Sequence, residues 1–576
     1  MNSAQLTITN GMAGRADSRL RALRVLLAAP VLAWLMLIVV LPNLLLIATS
    51  FMRSVGGVIS LEPSLVNYSR LWSSAGFWVL LWRTLMFSLA ACVLATLFAY
   101  PMAYFVGRVV RRGRLFLTVL IILPLWISLL MRIFAWRVIL GQSGVVNSAL
   151  VSSGILEQPS EAFLYSPSSV VIVFAYISVP FIFVSTVGAF TKIPRDLLEA
   201  SEDSGANSIQ TFVNVIWPLT RRNLAIGFSL AFLVTVGDFV TPAMIGGIDG
   251  TTLGVVISTQ FGFANNWPYG SAAAVVLMMS AIALLGALIA ATPSRGVLLG
   301  SGDDEAPATG DSNRSISGRR LGALGLGCSI LYLYAPLAII VLFSFNSVNL
   351  QTFPIQGFSL KWYQELASDS SLLDAVKRSI VVAAWVITVS VFVGTAFALT
   401  IHYTRLRGAR FFELAFALPV ATPGVVLGIE MVLGTEIFGI PSGIGRIVIG
   451  QMSFVMPVTL LLVLIQLRKL DPSLVEASLD LGANRWRTFV YVLLPLIRPS
   501  IVAGAFLGLT LSADDVMVTL FLAGGEPTLP IWVFNQMRFG FTPSVNAVFS
   551  ILAISVLIIV TVNQWKQMRA GARKRI

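Results

Sequence analysis

Apolar residues dominate this chain in long blocks rather than at helical or alternating spacing. Twelve stretches are mostly apolar over about 20 residues, the length of helix that crosses a bilayer. They lie near 26–50, 78–106, 115–140, 168–190, 224–245 and 271–291, then near 321–345, 379–402, 411–434, 448–467, 499–522 and 545–562. Arg15, Arg19, Arg21 and Arg24 before the first stretch resemble the charged start of a signal peptide. The apolar run behind them is too long for one, so it reads as a retained first helix.

Composition agrees with the pattern. Hydrophobic residues make up 57% of the 576 positions and charged residues 11%, against about 25% charged in ordinary soluble domains. Mean hydropathy is +0.87. So few charges cannot cover a soluble protein of this size, which excludes a soluble enzyme, a disordered scaffold and a nucleic-acid-binding module. Cys92 and Cys328 sit singly in apolar runs, which argues against a disulfide framework and a cysteine metal site; no metal site is expected. The single histidine, His402, closes an apolar run and reads as a helix-end residue.

The net charge of +13 changes meaning once the charges are placed. Of the 39 basic residues, 29 fall in the two tails and in alternate connections, around 108–114, 192–222, 295–320, 405–410 and 468–498. With twelve spans these segments share one side, so that side is expected to be cytoplasmic with both termini inside. The excess charge is then topological, and no nucleic-acid partner is expected. Residues 292–320 contain SGDDEAPATGDSNRSISG, a small, polar stretch that reads as a flexible cytoplasmic linker. The expected organisation is a tail at 1–25, a first repeat at 26–291, the linker at 292–320, a second repeat at 321–562 and a basic tail at 563–576.

An internal duplication supports that division. LLEASEDSGANSIQTFVNVIWPL at 197–219 matches LVEASLDLGANRWRTFVYVLLPL at 474–496 without a gap, with 14 of 23 positions identical. The same offset of 277 pairs Pro180 with Pro457 and Asp238 with Asp515; upstream the offset is 295, pairing Arg83 with Arg378 and Pro124 with Pro419. The first half therefore carries 18 extra residues, expected in the external loop near 141–167. Two sixes of spans in one orientation make a parallel repeat about an axis along the membrane normal. In each copy a proline suits a helix start (Pro194, Pro472), a short amphipathic segment follows, a glycine (Gly205, Gly482) permits a sharp break, and a second amphipathic run ends at Pro218 or Pro495. By pattern alone these could be ordinary interfacial helices; present twice, in register and on the expected cytoplasmic side, they suit a docking element that carries force into the bundle.

Glu-Ala followed by Gly and then a hydrophobic-Pro pair resembles the EAA loop of ABC importer permeases. Both copies match, with Glu199, Ala200, Ser201 and Gly205 in one and Glu476, Ala477, Ser478 and Gly482 in the other. The serines stand where that pattern has alanine. The resemblance implies a type I ABC importer permease fold: an all-α polytopic membrane protein of 12 transmembrane helices in two parallel six-helix repeats, here two permease subunits fused in one chain. It also implies two copies of an ABC ATPase docking on these loops, an extracytoplasmic solute-binding protein, and a place in a bacterial inner membrane. None of the six lysines follows a glycine, so the chain has no Walker A loop. ATP and magnesium are expected on the separate ATPase, with no cofactor and no catalytic residue in this chain.

MRIFAWRVILGQSGVVN at 131–147, GDFVTPAMIGG at 237–247, SADDVMVTLFLAGGEPTLP at 512–530 and NQMRFGFTPSVNA at 535–547 resemble the spermidine/putrescine branch of these permeases. Branches for ferric iron, aminophosphonate, opines and thiamine share the architecture. Asp238 lies 14 residues beyond Leu224, roughly 21 Å along a helix at about 1.5 Å per residue. Asp515, with Asp514 beside it, is its equivalent. Carboxylates at such depth face a bundle interior or a wet cavity and favour a cation, to which Phe239, Trp126 and Trp136 could add cation–π contact. Equally, Asp238 and Asp515 could brace helix breaks. Glu430 and Glu436 are expected to be solvated at the external face, and Arg132 and Arg137 to snorkel or pair with acids. An ion-coupled secondary transporter would also suit twelve spans and buried acids, and a non-transporting membrane scaffold would too, but neither accounts for the duplicated loop.

The topology makes a direct prediction. In a variant lacking the native cysteines, Gly310→Cys should react with a membrane-impermeant thiol reagent only after the cell membrane is breached, and Ser153→Cys in intact cells. The reverse pattern would invert the orientation.

Overall fold

The computed structural model describes residues 28–55, 58–110, 113–291, 316–349, 353, 355–404, 412, 415, 416, 418, 419, 422–539, 543–555 and 558. Most of the expected linker at 292–320 and both expected tails lie outside these residues. Among the described residues, ten helices are long and apolar enough to cross a membrane, from Ala28–Ser50 to Arg485–Asp514. Arg114–Leu125 and Pro543–Ser555 are shorter apolar helices. Among the described residues the fold is helical apart from one antiparallel hairpin, Arg53–Val55 with Val58–Ser60, and an isolated bridge between Asn346 and Phe358.

Several expected spans are broken rather than continuous. The stretch 115–140 is a helix at Arg114–Ile122, a tight 3₁₀ turn at Leu123–Trp126, and a new helix from Leu129. Pro124 lies at the start of the turn, where its missing N–H is no loss. The stretch 224–245 begins earlier, at Trp217, and ends at Val236; a break follows before a π-turn at Pro242–Gly246. Its repeat, 499–522, runs from Leu494 to Asp514 and resumes at Thr519–Leu522. The last expected span, 545–562, is described as helix at Pro543–Ser555.

The 18 extra residues of the first half take a clear form. After Leu129–Leu140 and the bend at Gly141, the helix Val145–Ser152 and an irregular segment carry the chain to Pro167. The second half goes from Gly424–Ile437 to Ile444 in a short turn.

Two compact units form, and they do not follow the two halves of the chain. One contains 1–49, 374–422 and 427–531; the other contains 50–373, 423–426 and 532–576. In the first unit the N-terminal helix packs on the second repeat. Val31, Leu35 and Val39 share a core with Phe397, Ile401, Met456, Leu460, Leu464 and Ile497, and Trp34 stacks on Phe416 at 5.3 Å. Pro42 lies so close to Gly434 that a Cβ there would stand 3.0 Å from its ring. Glu430, expected in solvent, is 1% exposed; it is excluded from water by this helix, whose Asn43 donates to its Oε2 at 3.2 Å. Glu436 is exposed and pairs with the buried Arg446 at 2.9 Å.

In the second unit the reciprocal packing occurs. The helix Ile316–Phe343, which opens the second repeat, lies on the first repeat. Tyr176 donates to the carbonyl of Leu333 at 2.9 Å, Tyr332 to that of Ile172 at 3.1 Å, and Tyr334 to that of Leu120 at 2.7 Å. Each repeat therefore exchanges its opening helix. These tyrosines satisfy their hydroxyls on backbone carbonyls inside the apolar bundle, as a solvent without hydrogen bonds requires.

Matching side-chain contacts recur at repeat-related positions. Thr84 accepts from the Leu253 N–H at 2.8 Å, and Ser379 from the Leu529 N–H at 2.8 Å. Arg83 pairs with Asp249 at 3.5 Å and Arg378 with Glu526 at 3.9 Å.

Gly237 marks a close backbone crossing. A Cβ there would lie 2.4 Å from the Gly424 nitrogen and 2.8 Å from the Pro423 Cα. Gly237→Ala should destabilise by about 1–3 kcal/mol through overpacking against backbone. Gly188→Ala, a helical position with nothing within 4 Å of the added carbon, should be neutral or slightly stabilising. Thermal unfolding of the purified protein in detergent separates the two.

Candidate coupling elements and transport pathway

The duplicated loop folds identically twice. The first copy is an exposed helix, Arg195–Asp203, which buries no residue. Its C-terminus turns at Gly205, which takes φ +76°. The Gly205 N–H donates to Glu202 O at 2.9 Å and the Ala206 N–H to Ser201 O at 3.1 Å. This is a Schellman ending, and it needs a residue that tolerates the left-handed conformation. The second copy, Ser473–Asp480, ends the same way at Gly482 with φ +84°, through bonds to Leu479 O at 2.9 Å and Ser478 O at 3.1 Å.

A new helix starts at once. Asn207 caps it by accepting from the Gln210 N–H at 2.8 Å, and Gln210 returns the bond to the Asn207 N–H at 2.8 Å. In the copy Asn484 accepts from the Arg487 N–H at 2.8 Å. Each new helix then passes through a π-turn, Phe212–Ile216 or Phe489–Leu493, and runs on into the next apolar helix. Pro218 and Pro495 sit in the first turn of those helices, where proline is tolerated. The exposed helix of the second copy is also capped by Asp471, which accepts from the Ser473 N–H at 2.9 Å. That bond holds its carboxyl below the usual carboxylate range.

The two serines that stand in place of alanine have a structural use. Ser201 bonds Thr211 and Ser478 bonds Thr488, both at 3.0 Å. Each threonine is buried on the second helix, so each hydroxyl pair ties the exposed helix to the helix that enters the membrane. Nothing in the sequence pattern marked this contact except the serine–threonine pair ten residues apart in both copies.

Asp238 follows the helix end at Gly237 and is buried. Its carboxylate accepts from the Val240 N–H at 2.7 Å, the Thr241 N–H at 3.0 Å and the Thr241 hydroxyl. Asp515 accepts from the Val518 N–H at 3.3 Å, the Thr519 N–H at 2.9 Å and the Thr519 hydroxyl at 2.6 Å. Both acids thus satisfy the donors that a helix break leaves open. Their surroundings differ. The buried Arg132 acts electrostatically on Asp238. The described hydrogen-bond partners of Asp515 are neutral, although Asp514 adjoins it: Thr519 is also bound by Gln451 at 2.9 Å, and Gln451 accepts from the Ser512 hydroxyl at 2.5 Å.

Phe239 is buried in the same break as Asp238. Trp136, one turn from Arg132, is buried with its Nε1 lacking a partner among the described residues. It forms a ring cluster with Tyr176 and Tyr332 at 5.5–5.7 Å. Trp126 closes the 3₁₀ turn; its side chain lies outside the described residues. Asp514 ends the helix Leu494–Asp514 and is half-buried. Arg137 donates to the Tyr165 hydroxyl at 2.8 Å. Tyr176, Tyr332, Gln451 and Ser512 were not singled out in the sequence because tyrosine, glutamine and serine within apolar runs carry no spacing signal.

The family model for the binding-protein-dependent transport system inner membrane component matches this chain twice, over residues 95–297 and 387–568. The chain belongs to that family. Both matches start beyond the exchanged opening helices. The spermidine/putrescine transport system permease protein PotB of Escherichia coli K12 is 34% identical over 248 residues, covering 43% of this chain and 90% of PotB. Its Haemophilus influenzae counterpart is 34% identical over 250 residues, with 43% and 87% covered. The putrescine transport system permease protein PotI of E. coli K12 is 33% identical over 253 residues, covering 42% of this chain and 89% of PotI. This chain is about twice as long as those relatives, as a fusion of two permease subunits would be. Among solved structures, a bacterial ABC transporter that imports the acidic polysaccharide alginate matches 44% of this chain and 98% of its own, at 18% identity and a TM-score of 0.35. The protein is a multi-pass permease of the binding-protein-dependent importers, and its relatives are transporters rather than enzymes.

The serine–threonine ties predict a local effect. Ser201→Ala should remove about 1 kcal/mol of local stability. Amide exchange in 195–203 should then rise roughly fivefold, with exchange elsewhere unchanged. Ser201→Thr, which keeps the hydroxyl, should exchange more slowly than Ser201→Ala.

Proposed function

We propose that this chain is the complete transmembrane pathway of an ATP-driven importer for polyamines of the spermidine and putrescine type. The observation that carries the reading is the coupling element, formed twice with the same helix, glycine turn, cap and π-turn. Two copies of an ABC ATPase dock on Glu199–Gly205 and Glu476–Gly482 and hold the ATP and magnesium. A periplasmic binding protein delivers the solute to the external face. The permease sits in a bacterial inner membrane with both termini in the cytoplasm. Closure of the ATPases pushes the docking helices; the hydroxyl ties and the continuous helices behind them pass the motion into the bundle. Release of hydrolysis products returns the pathway to the inward-open state. The chain itself makes and breaks no covalent bond.

The relatives' names support a polyamine cargo, and so do the acids at 238, 514 and 515. Asp515 is the stronger candidate to meet an ammonium group, because its described hydrogen-bond partners are neutral and a second acid, Asp514, lies beside it in the chain. Asp238 serves mainly to hold its break together.

Uptake of labelled spermidine and putrescine, in cells with and without the gene and with ATP depletion as control, tests the cargo. Deletion should abolish an ATP-dependent component. Unchanged uptake would move the cargo to another cation or a different solute. Glu199→Lys with Glu476→Lys should abolish ATPase assembly and transport together. If both survived, the coupling assignment would be wrong. Asp515→Asn should weaken uptake while leaving the amount of folded protein in the membrane unchanged.

A further inference from the structure

The two docking elements share a backbone but not a surface. Between 195 and 210 the first presents Arg195 against Asp196, Glu199, Glu202 and Asp203, a net charge of −3. Between 472 and 487 the second presents Glu476 and Asp480 against Arg485 and Arg487, a net charge of zero. The apolar content shifts the other way. At the repeat-related positions Glu202 becomes Leu479, Ser204 becomes Leu481 and Ile209 becomes Trp486. Leu481 is 89% exposed and Trp486 70% exposed, with Leu474 and Leu479 also exposed beside them. Four large exposed apolar side chains thus lie on either side of one glycine turn, and grouped exposed apolar residues are of the kind that marks a protein interface. Tryptophan is among the residues that carry most of the energy in such interfaces, and each leucine adds apolar area to bury.

Resting on the ATPase-docking reading above, we propose that the two sites hold their ATPase subunits by different forces. The second element is the apolar anchor, seated in its cleft by Leu474, Leu479, Leu481 and Trp486. The first is held by ion pairs between Asp196, Glu199, Glu202 and Asp203 and a basic cleft rim. Every one of these acids is exposed, so salt screens their pairs strongly, while burial of the leucines and the tryptophan is not weakened by salt. The permease thus keeps one ATPase bound through conditions that release the other. The shared glycine turn and cap set where each helix points; the residues at 202, 204 and 209, and their counterparts, set what it binds.

The test uses the full-length permease in lipid nanodiscs with its purified, nucleotide-free cognate ATPase. The number of ATPase subunits per permease is followed by size-exclusion chromatography with light scattering. Salt is raised from about 0.01 M to about 1 M, over which the screening length falls from about 30 to about 3 Å. The native protein should go from two bound subunits to one, the affinity of the weaker site falling about tenfold or more. Glu202→Leu with Ser204→Leu should keep both subunits at high salt. Leu479→Glu with Leu481→Ser should lose both. Simultaneous release of both subunits from the native protein, or salt profiles unmoved by these exposed substitutions, would overturn the inequality while leaving ATPase docking intact. No ATPase bound at any salt would overturn the docking reading itself.

Discussion

Inside a bilayer no water is at hand to satisfy a backbone N–H or C=O, so each break in a spanning helix must be repaired by the chain itself. Much of this structure follows from that constraint. Where the helix ending at Val236 stops, Asp238 and Thr241 take up the open donors. At the repeat-related place, Asp515 and Thr519 do the same. Tyrosine hydroxyls that enter the bundle find backbone carbonyls. Among the described residues, polar groups gather at both of these breaks. An acid that braces a break is already in place to meet a cation, provided its charge is not met by a neighbour such as Arg132.

Duplication followed by exchange of the opening helices gives the chain its two units. The N-terminal helix closes a core built by the second repeat, and the helix opening the second repeat is pinned by tyrosine bonds to the first. Joining both repeats in one chain keeps the partners of this exchange at equal number. It also frees the two coupling elements to diverge, since each now has a permanent position. Their backbones are alike, down to the glycine turns and the hydroxyl ties, while the first exposes more acids and the second more large apolar side chains.

Local features were legible from the amino-acid sequence because local physics produces them. The long apolar blocks, the alternation of basic loops, the in-register repeat and the glycine breaks at 205 and 482 all depend on residues within a few positions of one another. The exposed helix and glycine turn formed in both copies where the repeat placed them, and the helix-bracing use of Asp238 and Asp515 follows from a threonine three or four residues beyond each acid. Contacts between distant segments were not legible. Glu430 and Asn43 stand 387 positions apart, and no spacing rule joins them, so an acid expected in solvent proved to be buried. The break at Leu123–Trp126 in an otherwise apolar run, the ring cluster of Trp136 with Tyr176 and Tyr332, and the exchange of opening helices belong to the same class. In lipid every apolar face is equally content with acyl chains or with another helix. The pattern of apolar residues therefore says which segments enter the membrane, and only packing decides which of them meet.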